Sequence, residues 1–190
     1  MKNKDLYARW KALIYRCGNP KFPTYVDKSV CEEWKNFENF QTWSHSFVFD
    51  GMELDKDIIL SGNVLYCPEN CSYVPKWLNL VLVDSGASRG DYPLGVRYKK
   101  PTKGMVNSLK KPYEARCRDL EGKKLWLGYH LTPENAHRQW QQAKVVILEK
   151  ALHRYLCECP NQDIRVIQGI EKRILVLKDD IDSRNETIKL

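Results

Sequence analysis

Two carboxylates flank a lysine in the stretch "LDKDIIL", at Asp55, Lys56 and Asp57. Carboxylate oxygens are ligands that Mg²⁺ and Mn²⁺ prefer, so Asp55 and Asp57 could hold a divalent cation beside a phosphate group. The ammonium of Lys56 could neutralise the same phosphate. Two asparagines lie further along the chain, at Asn70 and Asn79. The alternatives are that the aspartates cap a turn and that the asparagines hold a loop by side-chain hydrogen bonds.

The chain contains seven cysteines, an odd number. In a reducing compartment, such thiols are more often metal ligands or buried side chains than disulfides. Cys67 and Cys71 are separated by three residues, a spacing that zinc ligands use, and Cys17 and Cys31 would complete a four-thiolate site. The spacing is less specific than two CxxC pairs, and buried free thiols are the favoured alternative.

Positive charge is concentrated in one segment of this chain, whose formal net charge is +7. Residues 89–150 contain 14 Lys/Arg and 6 Asp/Glu, whereas residues 1–88 contain 10 and 11, and residues 151–190 contain 7 of each. A localised basic surface predicts a polyanionic partner. The chain has no apolar run long enough to span a membrane, and its charged N-terminus lacks the apolar region of a secretory signal, so we expect a cytoplasmic protein.

Apolar spacing and turn signals predict the elements that position these residues. Helical spacing predicts two packed helices, one over residues 4–17 and one in "VCEEWKNFENFQTWSHSF". Three alternating runs, "LGVRYKK", "PYEARCRDL" and "KKLWLGYH", predict strands, and Thr132 followed by Pro133 predicts the start of a helix across their back. A further amphipathic helix is predicted in "DIRVIQGIEKRILVL", and the end of the chain is expected to fray.

These elements predict an α+β fold in three parts. We expect a largely helical N-terminal domain over residues 1–86, a three-stranded antiparallel sheet packed on one helix over residues 87–158, and a C-terminal helix and tail over residues 159–190. The polar, glycine-containing stretch 84–92 is the expected linker, and residues 101–111 are an expected loop.

Alternation along the three predicted strands divides their side chains between an apolar face, under the helix, and a basic face. The candidate DNA-binding residues share the basic face: Arg97, Lys99, Arg116, Arg118, Lys124 and Trp126. Arginine on such a face could make paired hydrogen bonds to guanine in the major groove, whereas lysine would more often contact phosphates. The alternative for Trp126 is an exposed aromatic side chain packed at the sheet edge.

The motifs "GVR", "EARCR", "LWLG" and "TPENA" follow one another in residues 92–152, which resemble the APETALA-type DNA-binding domain of plant ethylene-response factors. The resemblance implies that the sheet binds double-stranded DNA. It places Arg97, Arg116, Arg118, Lys124 and Trp126 on base- or backbone-contacting positions. The long loop 101–111 and Trp140 depart from the family pattern, and the preferred DNA sequence cannot be carried over.

The stretch "LDKDIILSGNVLYCPENCSYVPKWLN" resembles phage-encoded HNH endonucleases of the homing type that carry an APETALA-type domain. With "RWKALIYRCGNP" and "VCEEWKNFENFQTW", the resemblance covers about residues 5–155. It implies an HNH-like finger with Asp55, Lys56, Asn70 and Asn79 at the catalytic positions, Mg²⁺ or Mn²⁺ as cofactor, and a location in the host cytoplasm. The pattern of the family has a histidine, the general base, where this chain has Lys56.

The lysine leaves the predicted chemistry open, because an ammonium that is protonated at neutral pH cannot accept a proton from water. His45, upstream of the finger, could supply an imidazole, although an exposed histidine without such a role is commoner. One predicted function is metal-dependent nicking or cleavage of DNA. The other is that of an inactive relative, acting as a DNA-binding regulator or as an inhibitor that binds a host protein.

Overall fold

A computed structural model describes residues 3–47, 51–82, 90–100 and 110–190. Helices and small sheets of two or three strands make up this part of the chain, which confirms the predicted α+β class. The chain divides into two compact units: the first comprises residues 1–79 and 160–169, and the second comprises residues 80–159 and 170–190. The expected boundary after residue 86, most of the expected linker and residues 101–109 of the expected loop lie outside the described residues.

The first unit begins with helix α1 (Asn3–Arg16) and continues through strand β1 (Ser29–Val30) to helix α2 (Phe37–Ser44). The second predicted helix starts later than its apolar pattern suggested. Asn36 sets this start, because its side-chain oxygen accepts the backbone N–H of Glu38 at 2.7 Å and so caps α2. The preceding Glu33–Lys35 forms a separate 3-10 helix.

An aromatic-rich core holds the first unit together. Its buried members are Leu6, Leu13, Trp34, Phe40, Tyr66, Cys71 and Tyr73. Trp34 is fully buried and packs edge-on against Phe40, with the ring centroids 5.1 Å apart. The indole N–H of Trp10 donates to the carbonyl of Trp34 at 2.7 Å, which ties α1 to the 3-10 helix. Aromatic side chains of both predicted helical segments meet in this core, which Trp34 reaches from outside α2.

Three short strands and a helix complete the part of the first unit that contains the predicted finger. Strand β2 (Met52–Asp55) pairs antiparallel with β4 (Ser72–Pro75), and β3 (Leu65–Tyr66) pairs parallel with β1. Helix α3 (Lys76–Leu82) follows β4 directly, where Pro75 predicted a helix start. The pairing of β2 with β4 places Asp55 opposite Ser72, so the two ends of the 55–72 segment lie together.

The second unit is built on the predicted three-stranded sheet. Strands β5 (Val96–Tyr98), β6 (Tyr113–Arg118) and β7 (Lys124–His130) are antiparallel and adjacent in that order, and helix α4 (Pro133–Glu158) packs across them. Thr132 caps α4 by accepting the backbone N–H of Asn135 at 3.2 Å. Helical spacing of Ala136, Trp140, Ala143, Ile147 and Ala151 predicts the buried face of this helix; all of them are buried except Ala143, which is half-buried.

Helix α5 (Ile164–Asp182) confirms the predicted C-terminal amphipathic helix, with Val166, Ile170 and Leu177 fully buried. The expectation of a frayed chain end is wrong. Thr187 is only 1% exposed, its N–H donates to Nε2 of His137 at 3.0 Å, and its hydroxyl donates to Asp180 at 2.6 Å. None of the helices in the described residues is long and apolar enough to cross a lipid bilayer.

Candidate functional site

Asp55 caps the turn that follows β2. It is 8% exposed, and its Oδ1 accepts the backbone N–H groups of Asp57 at 2.8 Å and Ile58 at 2.6 Å. Burial raises the pKa of the Asp55 carboxyl above its ordinary value, although the two N–H donors oppose this effect. The turn-capping role that the sequence left open is the one in which the structure places Asp55.

Lys56 is buried at the start of the same turn. Its Nζ donates to both carboxylate oxygens of Asp57 at 2.7 Å and to the backbone carbonyl of Asn63 at 2.6 Å. These three hydrogen bonds use the full donor capacity of an ammonium group. Lys56 therefore fastens the turn to the loop before β3, and its nitrogen has no free lone pair with which to accept a proton.

Asn63 completes this arrangement and was expected only as part of a loop. Its side-chain nitrogen donates to the carbonyls of Lys56 at 3.2 Å and Leu65 at 2.6 Å, and its oxygen accepts the N–H of Leu65 at 3.0 Å. The signal in the sequence is "GN" before an apolar strand, since asparagine readily bonds its own backbone in turns. Asn63 and Lys56 thus bond each other through side chain and main chain in both directions.

The two carboxylates do not fit a divalent cation in this arrangement. Both oxygens of Asp57 accept the Lys56 ammonium, and Oδ1 of Asp55 accepts backbone N–H groups. A metal ion at the Asp57 carboxylate or at Oδ1 of Asp55 would compete with those donors. Binding of Mg²⁺ or Mn²⁺ at Asp55 and Asp57 stays a prediction that these contacts do not support.

The two predicted asparagines form their hydrogen bonds with residues outside this turn. The side-chain nitrogen of Asn79, on α3, donates to Oε2 of Glu53 on β2 at 2.8 Å. Asn70 lies in the turn before β4, where its backbone N–H donates to the carbonyl of Cys67 at 3.3 Å. Within the described ranges, neither asparagine is hydrogen-bonded to Asp55 or Lys56. His45 is exposed at the C-terminal end of α2.

The four candidate zinc ligands pack as core side chains or line its margin. Cys71 is a buried member of the aromatic core, and Cys17 and Cys31 pack against that core. Burial raises the pKa of Cys17, Cys67 and Cys71, whereas zinc binds the deprotonated thiolate. In the described part of the chain, no three or more His, Cys, Asp or Glu side chains are grouped so as to hold a metal ion. Zinc binding stays a prediction.

The register of the second unit's sheet places the candidate DNA-binding residues on one face. Residues that are directly opposite in an antiparallel ladder point to the same side. Arg116 lies opposite Trp126, and Arg118 lies opposite Lys124. Val96 and Ala115, which are also paired, are buried on the other face with Ala136 of α4. The basic face comprises Arg97, Lys99, Arg116, Arg118, Lys124 and Trp126.

The side chains of the basic face are open to solvent, apart from half-buried Arg116. Trp126 is 63% exposed and packs edge-on against Tyr129, with the ring centroids 5.5 Å apart. The ammonium of Lys99 lies 4.7 Å from the centre of the Tyr129 ring and donates to its hydroxyl at 3.0 Å. Arg118 donates to the carbonyl of Gly122 at 2.8 Å, which holds its guanidinium at the β6–β7 turn.

Glu114 and Tyr129 belong to the same face and were missed from the sequence. Glu114 pairs with Arg97 on one side and with Tyr129 on the other, so a carboxylate lies among the cations. The position of Tyr129 follows from a bulge. Arg116 lies two positions after Glu114 on β6, but their partners on β7, Trp126 and Tyr129, are three positions apart. The extra residue of β7 forms the bulge, where Gly128 has φ +108°. Simple alternation would have placed Tyr129 on the apolar side.

Comparison of the chain with protein-family models, with curated proteins and with solved structures gave no significant match. The resemblances to an APETALA-type domain and to an HNH finger therefore stay predictions. The functional inference rests on the geometry of the two units.

Proposed function

We propose that the protein binds double-stranded DNA through the basic face of its second unit. The observation that carries this proposal is the grouping of five cationic side chains and one exposed tryptophan on a single open sheet face, whose opposite face is covered by α4. The major groove admits a two-stranded β-ribbon, and arginine on such strands can bond guanine there. The net charge of +8 in residues 89–150 would attract the phosphate backbone.

We further propose that the finger predicted in the first unit does not cut the DNA strand. The residue at the position of the general base, Lys56, is a buried ammonium with three acceptors. A group that must accept a proton from water needs a free lone pair and access to that water. This arrangement favours the inactive relative, a DNA-binding regulator, over a metal-dependent nuclease.

DNA binding is tested by fluorescence anisotropy with labelled duplex DNA at several salt concentrations. We expect Arg116→Gln and Trp126→Ala to weaken binding, and Arg116→Gln to reduce the slope of log K against log salt, because fewer counterions are released. Lys150→Gln removes a charge from an exposed position on α4 and serves as the matched control. Unchanged affinity in both face variants would show that the face is not the DNA surface. A wild-type protein that binds no duplex at low salt would leave binding to a host protein as the alternative.

Cleavage is tested separately with supercoiled plasmid and Mg²⁺ or Mn²⁺. We expect neither the wild-type protein nor Lys56→His to nick the plasmid. The histidine variant would put an imidazole in a buried turn, and in the described residues neither Asn70 nor Asn79 is hydrogen-bonded to Asp55 or Lys56. Nicking by the wild-type protein that EDTA abolishes would contradict the non-cutting proposal while leaving DNA binding intact.

A further inference from the structure

A cleft of about 260 Å³ opens in the second unit where β7 leads into α4. The side chains that matter for its chemistry are Lys111, Tyr129, His130, Asn135, Arg138 and Gln139. They offer two permanent positive charges, an imidazole, two amides and a phenol. None of the residues that line the cleft in the described part of the chain is acidic, so the cleft is suited to an anion.

The two cations of the cleft are available to a ligand. Lys111 and Arg138 are both exposed, and within the described residues neither forms an ion pair with an acidic side chain. The neighbouring His130 has its Nε2 buried without a hydrogen-bond partner among those residues. A guanidinium and an ammonium beside one opening can together bond the oxygens of a phosphate group.

Helix α4 adds the positive end of its dipole to the same opening. The helix is 26 residues long and starts at Pro133, directly after the capping residue Thr132. Asn135, Arg138 and Gln139 are spaced by three and four residues, so they follow one side of the first two turns. Phosphate groups are commonly bound where a helix N-terminus and basic side chains meet.

The cleft is continuous with the basic face through Tyr129. Tyr129 lines the cleft, its ring packs against Trp126, and its hydroxyl accepts a hydrogen bond from Lys99. A duplex that lies on the basic face would therefore carry its sugar-phosphate backbone past the opening. Contacts of this kind fix the register of a protein on DNA and carry no base information.

We propose that this cleft binds a backbone phosphodiester of the same DNA that contacts the basic face. The inference rests on the proposed function and adds a second, sequence-independent contact to it. Lys111 and Arg138 contact the phosphate oxygens directly, and Asn135 and Gln139 donate amide hydrogen bonds.

The test compares the wild-type protein with the double variant Lys111→Gln/Arg138→Gln by anisotropy, using a preferred and an unrelated duplex. We expect the double variant to lose affinity by a similar factor on both duplexes, and its salt slope to fall by about 1 for the lost phosphate contact. Arg138→Lys keeps the charge and should lose less affinity than Arg138→Gln. Lys150→Gln, further along α4, should change neither value. Circular dichroism melts check that each variant is folded.

The outcomes separate this inference from the proposed function. If Arg116→Gln weakens binding while Lys111→Gln/Arg138→Gln binds like wild type, the cleft is not a DNA contact and the basic face stands. If neither variant changes the affinity or the salt slope, both proposals are wrong. A titration of the ¹⁵N-labelled protein with inorganic phosphate provides the third arm. Shifts around Thr132–Arg138, combined with unchanged DNA binding of the double variant, would assign the cleft to a free phosphorylated ligand and overturn the DNA contact.

Discussion

The indole of Trp140 occupies the space that a side chain on Gly95 would need. A Cβ atom on Gly95 would lie 2.0 Å from Cγ of Trp140, and Gly95 has φ +76°, where side chains are strained. The carbonyl of Gly95 also accepts the N–H of Arg116 at 2.9 Å, so this close approach positions the start of the basic face.

We expect Gly95→Ala to destabilise the second unit by about 2–4 kcal/mol, because backbone strain and overpacking act together. Thermal unfolding of the full chain measures the loss. Gly90→Ala is the matched control, since Gly90 has φ +68° but a Cβ atom added there would meet none of the described residues within 4 Å. Equal losses in the two variants would show that strain alone matters and that the Trp140 contact does not.

Replacing Lys56 tests whether its hydrogen bonds hold the turn to the loop before β3. Lys56→Met keeps the length of the side chain and removes the ammonium that bonds Asp57 and the carbonyl of Asn63. We expect a loss of about 1–3 kcal/mol in the free energy of unfolding, since the buried Asn63 carbonyl and the partly exposed Asp57 carboxylate lose their donor. Lys35→Met, which removes an exposed ion pair with Glu32, should cost about 0–1 kcal/mol. Equal stability of Lys56→Met and wild type in urea unfolding would contradict the fastening role.

The elements of the second unit were predicted from the sequence more accurately than those of the first unit. Strand alternation, the Thr132 cap and helical spacing are local signals, and each one predicted an element that the structure contains. Tyr129 was missed because the extra residue of a bulge in β7 reverses the alternation after Trp126, and no local pattern marks that residue. The tail was misjudged for a similar reason: Thr187 looks polar and terminal, but it meets the distant His137.

In the candidate finger, spacing predicted neighbours that the fold does not join. Asp55 and Lys56 are adjacent in the chain and share one turn, whereas Asn70 and Asn79 bond other partners. The partners of Lys56 include a backbone carbonyl at Asn63, which residue types cannot reveal. Spacing therefore grouped four candidate residues but did not show which side chains bond one another.

Glu114 allows a test of how the basic face discriminates between DNA sequences. A glutamate can accept a hydrogen bond from the amino group of cytosine, but it repels phosphate. We expect Glu114→Gln to bind unrelated duplexes more tightly and to prefer its best sequence less strongly. Binding to a randomised duplex pool, sequenced before and after selection, measures both effects. An unchanged preference would exclude Glu114 from base recognition.

Asp55 predicts an unusual pH response. Its folded pKa is raised by burial, so the folded protein holds a proton more tightly than the unfolded chain. The contribution of Asp55 to stability is therefore greatest below the unfolded value, about 4, and declines as the pH rises through the folded value.

We expect Asp55→Asn to be at least as stable as wild type at neutral pH, because asparagine keeps an oxygen for the two N–H donors and carries no charge. Asp55→Ala should be less stable, since it leaves both donors unpaired. Urea unfolding between pH 4 and 7 distinguishes the cases. If Asp55→Asn and Asp55→Ala lower the free energy of unfolding equally, the cap does not depend on the side-chain oxygen.

Asp163 predicts the opposite pH response in the first unit. Partial burial opposes ionisation, but hydrogen bonds from Arg165 and Ser72 outweigh it and lower the pKa of Asp163. Arg165 in turn donates to the carbonyls of Pro68 at 2.9 Å and Cys71 at 3.2 Å, so the ion pair holds the turn before β4. A lowered folded pKa contributes stability above the unfolded value, and this stability is lost as the pH falls through the folded value.

We expect Asp163→Asn to speed amide exchange at Cys71, whose N–H bonds the carbonyl of Cys67, and to weaken the acid dependence of that exchange. Arg165→Lys keeps the charge but loses the planar guanidinium that donates to several carbonyls, so it should speed exchange as well. Asp179→Asn, exposed on the same helix, is the control and should leave Cys71 unchanged. Exchange is read at one amide beside the ion pair, so it reports on this turn directly. Wild-type exchange in Asp163→Asn at every pH would show that the ion pair does not hold this turn.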